Sequence, residues 1–163
     1  AINFKDADEY ALGVPRVIKD DDGYKMWFCS RATKECPTYR IRYATSTDGI
    51  NWQRNGKQII SDHLNTDECQ ALPTVIYLND IYHMYFCYRQ ADGFRSNKDR
   101  AYRIGYAWSN NLTDWKRDDG KTGIDISKEG WDSEMMCYPH LFKTIDRKIY
   151  YKKFKSACRT AFG

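Results

Sequence analysis

Long apolar runs are missing from this 163-residue chain, so no membrane partner or membrane span is expected. A dominant charge is missing too: 26 Lys and Arg face 22 Asp and Glu, for a net +4. The two signs alternate, as in Lys19-Asp20-Asp21-Asp22 and Lys116-Arg117-Asp118-Asp119. Nucleic-acid binders gather basic residues on one face, so no nucleic-acid partner is expected. None of the six cysteines (29, 36, 69, 87, 137 and 158) sits in a CxxC pair or at a Cys–His metal spacing. That excludes the usual structural zinc patterns, and neither a metal nor any other cofactor is implied. Cys29 and Cys87 lie in apolar runs and are read as small buried hydrophobes in reducing surroundings, not as a disulfide pair. No charged-then-apolar leader opens the sequence, and a cytoplasmic location is the expectation. Prolines number four, and no segment has a convincing helical period.

What the chain does have is aromatic side chains, 15% of its residues, and a length that suits one domain with a core. The aromatics suit strands, a sugar-facing surface, or both, and the repeats distinguish the two. Gly23-Tyr24-Lys25-Met26-Trp27-Phe28-Cys29-Ser30-Arg31 matches Ile81-Tyr82-His83-Met84-Tyr85-Phe86-Cys87-Tyr88-Arg89 at an offset of 58. Tyr39 to Ser46 matches Tyr102 to Ser109 at an offset of 63, and Trp52-Gln53-Arg54 matches Trp115-Lys116-Arg117 at the same offset. The five-residue change falls in the polar stretch Gln90–Ala101, which reads as a lengthened loop. A third copy opens at Pro139-His140-Leu141-Phe142, aligned with Pro73 and Pro15, and runs into Ile149-Tyr150-Tyr151.

The first copy divides into four extended segments, Pro15–Lys19, Tyr24–Arg31, Tyr39–Thr45 and Trp52–Ile59. Asp21-Asp22-Gly23 and Thr47-Asp48-Gly49 supply turns, and Tyr39, Ile41 and Tyr43 alternate with Arg40 and Arg42. Four antiparallel strands repeated at this spacing make a propeller blade. The expected fold is therefore all-β, half of a five-bladed β-propeller with about two and a half four-stranded blades. Blade 1 covers about 10–60, blade 2 about 68–126, and a partial blade 3 about 131–163. Such an array leaves a blade face uncovered. A homodimer that completes a five-bladed ring is expected, the alternative being a piece of a longer chain.

The motifs Tyr-Ala-Thr-Ser-x-Asp-Gly-x-x-Trp at 43–52, Tyr-Ala-Trp-Ser at 106–109 with Trp115, and Trp-Asp-Ser-Glu-Met-Met-Cys-Tyr-Pro at 131–139 carry a resemblance. The sequence resembles the five-bladed propeller glycoside hydrolases, the clan of arabinanases, β-xylosidases, levansucrases and invertases, with mannoside phosphorylases as more distant cousins. It departs from them in length, since their ring lies in one chain nearly twice as long, and in the stretch Lys152–Arg159. The resemblance implies a carbohydrate partner and, if the chain is active, a glycosidase.

A glycosidase needs a protonated and an ionised carboxylate across the scissile bond. Acids recur here before each innermost strand: Asp8 and Glu9 before Pro15, Asp67 and Glu68 before Pro73, Asp132 and Glu134 before Pro139. The resemblance makes Glu134 the general acid, Glu68 or Asp67 the carboxylate that orients substrate, and Asp8 the base or nucleophile. Arg31 and Arg89, at one repeat position, suit a sugar carboxylate or phosphate, or pairing with neighbouring acids. His140 is a candidate channel residue. Trp108 and Trp131 depart from the repeat and are the candidate sugar platforms, whereas Trp27, Trp52 and Trp115 read as packing between blades. Beside catalysis stand two other readings, a non-catalytic carbohydrate-binding or assembly module and a phosphorylase with an Arg or His near Glu134.

Overall fold

A computed structural model describes residues 10–64 and 67–144 and the strand Ile149–Phe154. Strands β1 (Ala11–Asp20), β2 (Gly23–Arg31), β3 (Arg40–Ser46) and β4 (Gln53–Arg54) form one antiparallel sheet in that order. The second sheet repeats the arrangement with β5 (Glu68–Leu78), β6 (Ile81–Gln90), β7 (Arg103–Ser109) and β8 (Lys116–Arg117). Strands β9 (Cys137–Lys143) and β10 (Ile149–Phe154) form a two-stranded third sheet. The first strands of the sheets gather, with β5 touching both β1 and β9. This is half of a propeller, all β, with no helix among the described residues long and apolar enough to cross a membrane.

Alternation along the strands puts one set of side chains on each face. Trp27, Cys29 and Ile41 of the first sheet bury against Met84, Phe86, Ala107 and Leu112 around the second, with Ile60 between them. The opposite face of the second sheet gives Cys87 and Ile104, which pack on Met136 and Cys137 at the third. The opposite face of the first sheet carries Met26, Phe28 and Ala44, backed by Leu12 and Trp52. By repeat position Met26 and Phe28 correspond to Met84 and Phe86. That face covers a sheet junction in blade 2. In blade 1 it lines an open apolar cavity of about 510 Å³ with Leu12, Pro15, Val17 and Trp52.

Two departures from the expected strands have local causes. The innermost strands begin several residues before their prolines, because each carries a bulge there. Val14 (φ 46°), Leu72 (φ 55°) and Tyr138 (φ 60°) hold left-handed backbone immediately ahead of Pro15, Pro73 and Pro139. In β1 and β5 the pairing register shifts at that point, between Gly13 and Arg16 and between Ala71 and Thr74, and pairing resumes on its far side. Left-handed backbone is costly at a branched or bulky residue, so its recurrence in three innermost strands marks a feature of the blade. The fourth strand is two residues long where Trp52–Ile59 was expected. Gly56 turns the chain with φ 69°, the Arg42 guanidinium donates to the Gly56 carbonyl, and Ile59 N–H donates to Ile41 O at 3.1 Å. Ile60 thereby enters the core between the sheets.

Candidate functional site

The repeated Ser-x-Asp/Asn motifs build turns. Asp48 Oδ1 accepts from Ile50 N and Asn51 N at 2.8 and 2.7 Å, while Trp52 Nε1 donates to Gly49 O at 3.2 Å. In the second blade Asn111 Oδ1 accepts from Thr113 N and Asp114 N at 3.1 and 2.9 Å, and Trp115 Nε1 donates to Leu112 O at 2.9 Å. These backbone donors hold the Asp48 carboxyl far below the usual carboxylate range. The tryptophans of these motifs close loops between the third and fourth strands.

Arg31 and Arg89 also play equivalent parts. The Arg31 guanidinium lies over Tyr10 and Tyr39, 4.9 and 5.6 Å from the ring centres. That of Arg89 lies 3.7 Å from the Phe94 ring centre and 5.2 Å from that of Tyr102. Arg89 Nη1 also donates to the carbonyls of Gln90 and Ala91. Trp108 is half-buried with the Lys116 ammonium 4.7 Å from its ring centre. Trp131 is 55% exposed. His140 is exposed on β9 and stacks on Phe142. Asp8 and Glu9 lie outside the described residues.

At the start of β5 the two acids part company. Asp67 is exposed and its carbonyl accepts from Ala91 N, which continues the pairing of β5 with β6. Glu68 is completely buried. Its Oε1 accepts from Arg117 Nη1 at 2.6 Å and Gln70 Nε2 at 3.0 Å, and its Oε2 from the backbone N–H groups of His63 and Leu64 at 2.8 and 3.0 Å. Four donors thus occupy the carboxylate. Arg117 reaches Glu68 from the outermost strand β8 and also donates through Nε to Asp119. Asp119 accepts from Tyr106 N at 3.1 Å, and its Oδ2 lies 2.9 Å from His63 Nδ1. Burial opposes the Arg117 charge, but its hydrogen bonds to Asp119 and Glu68 leave its pKa above the ordinary value. Sequence reasoning missed Arg117, Asp119 and His63. The one available signal was that Arg117 stands at the repeat position of Arg54.

Glu134 has a different setting. It is half-buried in the segment before β9 and lines a cleft of about 210 Å³ with Phe94, Arg95, Asn97, Lys98 and Met135. The lengthened loop after β6 forms the facing wall, closed at its base by an Arg100–Asp92 ion pair. Arg103 on β7 ties the walls together: Nη1 donates to Glu134 O at 3.2 Å and Nη2 to Lys98 O at 2.9 Å. The cleft that Glu134 lines thus also holds two cations, Arg95 and Lys98, that the candidate residues had not included.

The half-ring of stacked sheets matches solved enzymes. It superposes on a family 117 glycoside hydrolase of the marine bacterium Zobellia galactanivorans with a TM-score of 0.73, at 17% identity, covering 92% of this chain and 50% of that one. By fold, the chain is half of a propeller of the kind found in glycoside hydrolases. An arabinanase of Bacillus subtilis gives a TM-score of 0.59 at 23% identity, over 84% of this chain and 45% of the enzyme. In sequence, the half-propeller is 32% identical over 161 residues to an uncharacterised protein of Mycobacterium tuberculosis, covering 96% of this chain and 50% of that protein. It is also 36% identical over 80 residues to a 1,2-β-oligomannan phosphorylase of a Thermoanaerobacter species, covering 48% of this chain and 25% of the phosphorylase. No family model matches. The half-propeller spans about half the length of the Mycobacterium tuberculosis protein.

Proposed function

We propose that the chain forms half of a carbohydrate-active propeller that holds a glycoside at the N-terminal ends of its innermost strands, with Glu134 as general acid. The observation that carries this reading is the setting of Glu134, half-buried at the mouth of a cleft and fixed through its backbone by Arg103. A general acid needs to be held in place and to have an open side from which it reaches the leaving group. Asp67 takes the second carboxylate role, because it is exposed at the start of β5 whereas Glu68 is committed to Arg117. Asp8 is assigned the base or nucleophile. Trp131, exposed beside the acidic segment, is the sugar platform. A second copy completes the ring, and the apolar cavity beside Met26 and Phe28 lies at one of its junctions.

A second reading, phosphorolysis, draws on Arg95 and Lys98, which line the same cleft as Glu134 and suit an inorganic phosphate. A panel of aryl glycosides, run with and without phosphate, separates the readings. Wild type releases the aryl alcohol and Glu134→Gln does not. Release that depends on phosphate selects the phosphorylase. Equal rates for wild type and Glu134→Gln would remove Glu134 from the chemistry. Glycan binding without turnover by wild type would leave the non-catalytic module.

A further inference from the structure

We propose that Cys87 and Cys137 are an oxidisable pair whose joining fastens the third sheet to the second. Cys87 lies on β6 and Cys137 opens β9, fifty positions apart in sequence, yet their Sγ atoms are 3.1 Å apart. Both are free thiols and both are buried. A disulfide has its sulfurs about 2.05 Å apart, so closure takes about 1 Å of approach.

The repeat supplies an internal comparison. Cys87 Sγ accepts the N–H of Tyr138, the bulged residue ahead of Pro139, at 3.1 Å. Cys29, the repeat counterpart of Cys87, lies near the backbone of Leu72, the bulged residue ahead of Pro73. A cysteine therefore stands beside the bulge both where the first sheet meets the second and where the second meets the third. The residue before the bulge is Ala71 in β5 and Cys137 in β9. One architecture is built twice, and the second junction places a second sulfur, that of Cys137, where the first has the methyl group of Ala71.

The co-reactant is a low-molecular-weight disulfide. One protein thiolate attacks it, forming a mixed disulfide and expelling one small thiolate. The second cysteine, losing its proton, then displaces the other small thiol and closes the Cys87–Cys137 bond. Two protein thiols are oxidised and one small disulfide is reduced to two thiols. Burial and the neighbouring Cys137 push the Cys87 thiol up, so exchange is slow and passes through brief openings of the third sheet.

Incubation of the full chain with oxidised glutathione under native conditions, followed by peptide mapping without reductant, is the test. The expected product is a Cys87–Cys137 linked peptide. It comes with a rise of roughly 10 °C in the unfolding midpoint, reversed by dithiothreitol. Cys137→Ser abolishes both effects. Ala71→Cys, which copies the second junction into the first, gains a link to Cys29. Glutathione left as a stable adduct on either cysteine overturns the proposal. So does a Cys87–Cys137 link that forms only in denaturant.

Discussion

Arg117→Met is expected to cost about 3–5 kcal/mol of folding stability, the usual loss when one partner of a buried ion pair is removed. The Arg117 side chain is 5% exposed and that of Glu68 is 0% exposed, so solvent cannot replace the missing guanidinium. Methionine keeps apolar bulk beside Phe86 and Tyr88, over whose rings the guanidinium lies at 5.1 and 4.5 Å. The loss thus reports the stranded carboxylates of Glu68 and Asp119. In a domain of this size the unfolding midpoint should fall by roughly 6–20 °C. Adding Glu68→Gln to Arg117→Met should recover part of the loss, because a neutral amide tolerates burial without a cation. A loss below about 1 kcal/mol, the value of an exposed pair, would mean that the network does not bind the loop at 59–64 to the outer edge of the second sheet.

Gly105→Ala is expected to cost about 1–3 kcal/mol through overpacking. Gly105 pairs with Phe86 across β6 and β7, and a methyl group there would meet the Phe86 ring at Cζ, Cε2 and Cε1, the last two at 2.7 and 2.9 Å. Phe86 is wholly buried in the core between the first and second sheets and has no open side to move into. The backbone at Gly105 is not left-handed, so crowding alone sets the cost. In the first blade the same position holds Arg42, whose guanidinium turns to the Gly56 carbonyl. Urea unfolding measures the loss, and Phe86→Leu in the Gly105→Ala background should restore part of it. An unchanged urea midpoint would show that the ring moves freely, against the packing described.

The blades were legible because β-sheet periodicity and repetition reinforce each other. Met26-Trp27-Phe28-Cys29 and Met84-Tyr85-Phe86-Cys87 place the same faces at the same junctions, and Trp52 and Trp115 close the same turns. The short β4 was not legible, because Ile59 and Ile60 look like strand residues until Gly56 turns them into the core. The bulges were hidden for a related reason: a residue before proline favours extended backbone, so Val14, Leu72 and Tyr138 gave no hint of positive φ. At the candidate site the acids before β5 and β9 could be found, but not their differing surroundings. Glu68 is bound by an arginine 49 positions away, a separation that strand periodicity alone does not bring together. The lengthened loop was visible as an offset change, whereas its role as the wall facing Glu134 depends on how Arg103 joins Lys98 to the next blade.

Ring completion is the step on which the proposed glycoside site depends, because an axial pocket needs walls on every side. The chain's molar mass in solution, measured by multi-angle light scattering, tests it most directly. A dimeric ring gives twice the 19.2 kDa of one chain. A mass of 19.2 kDa at all concentrations would contradict it.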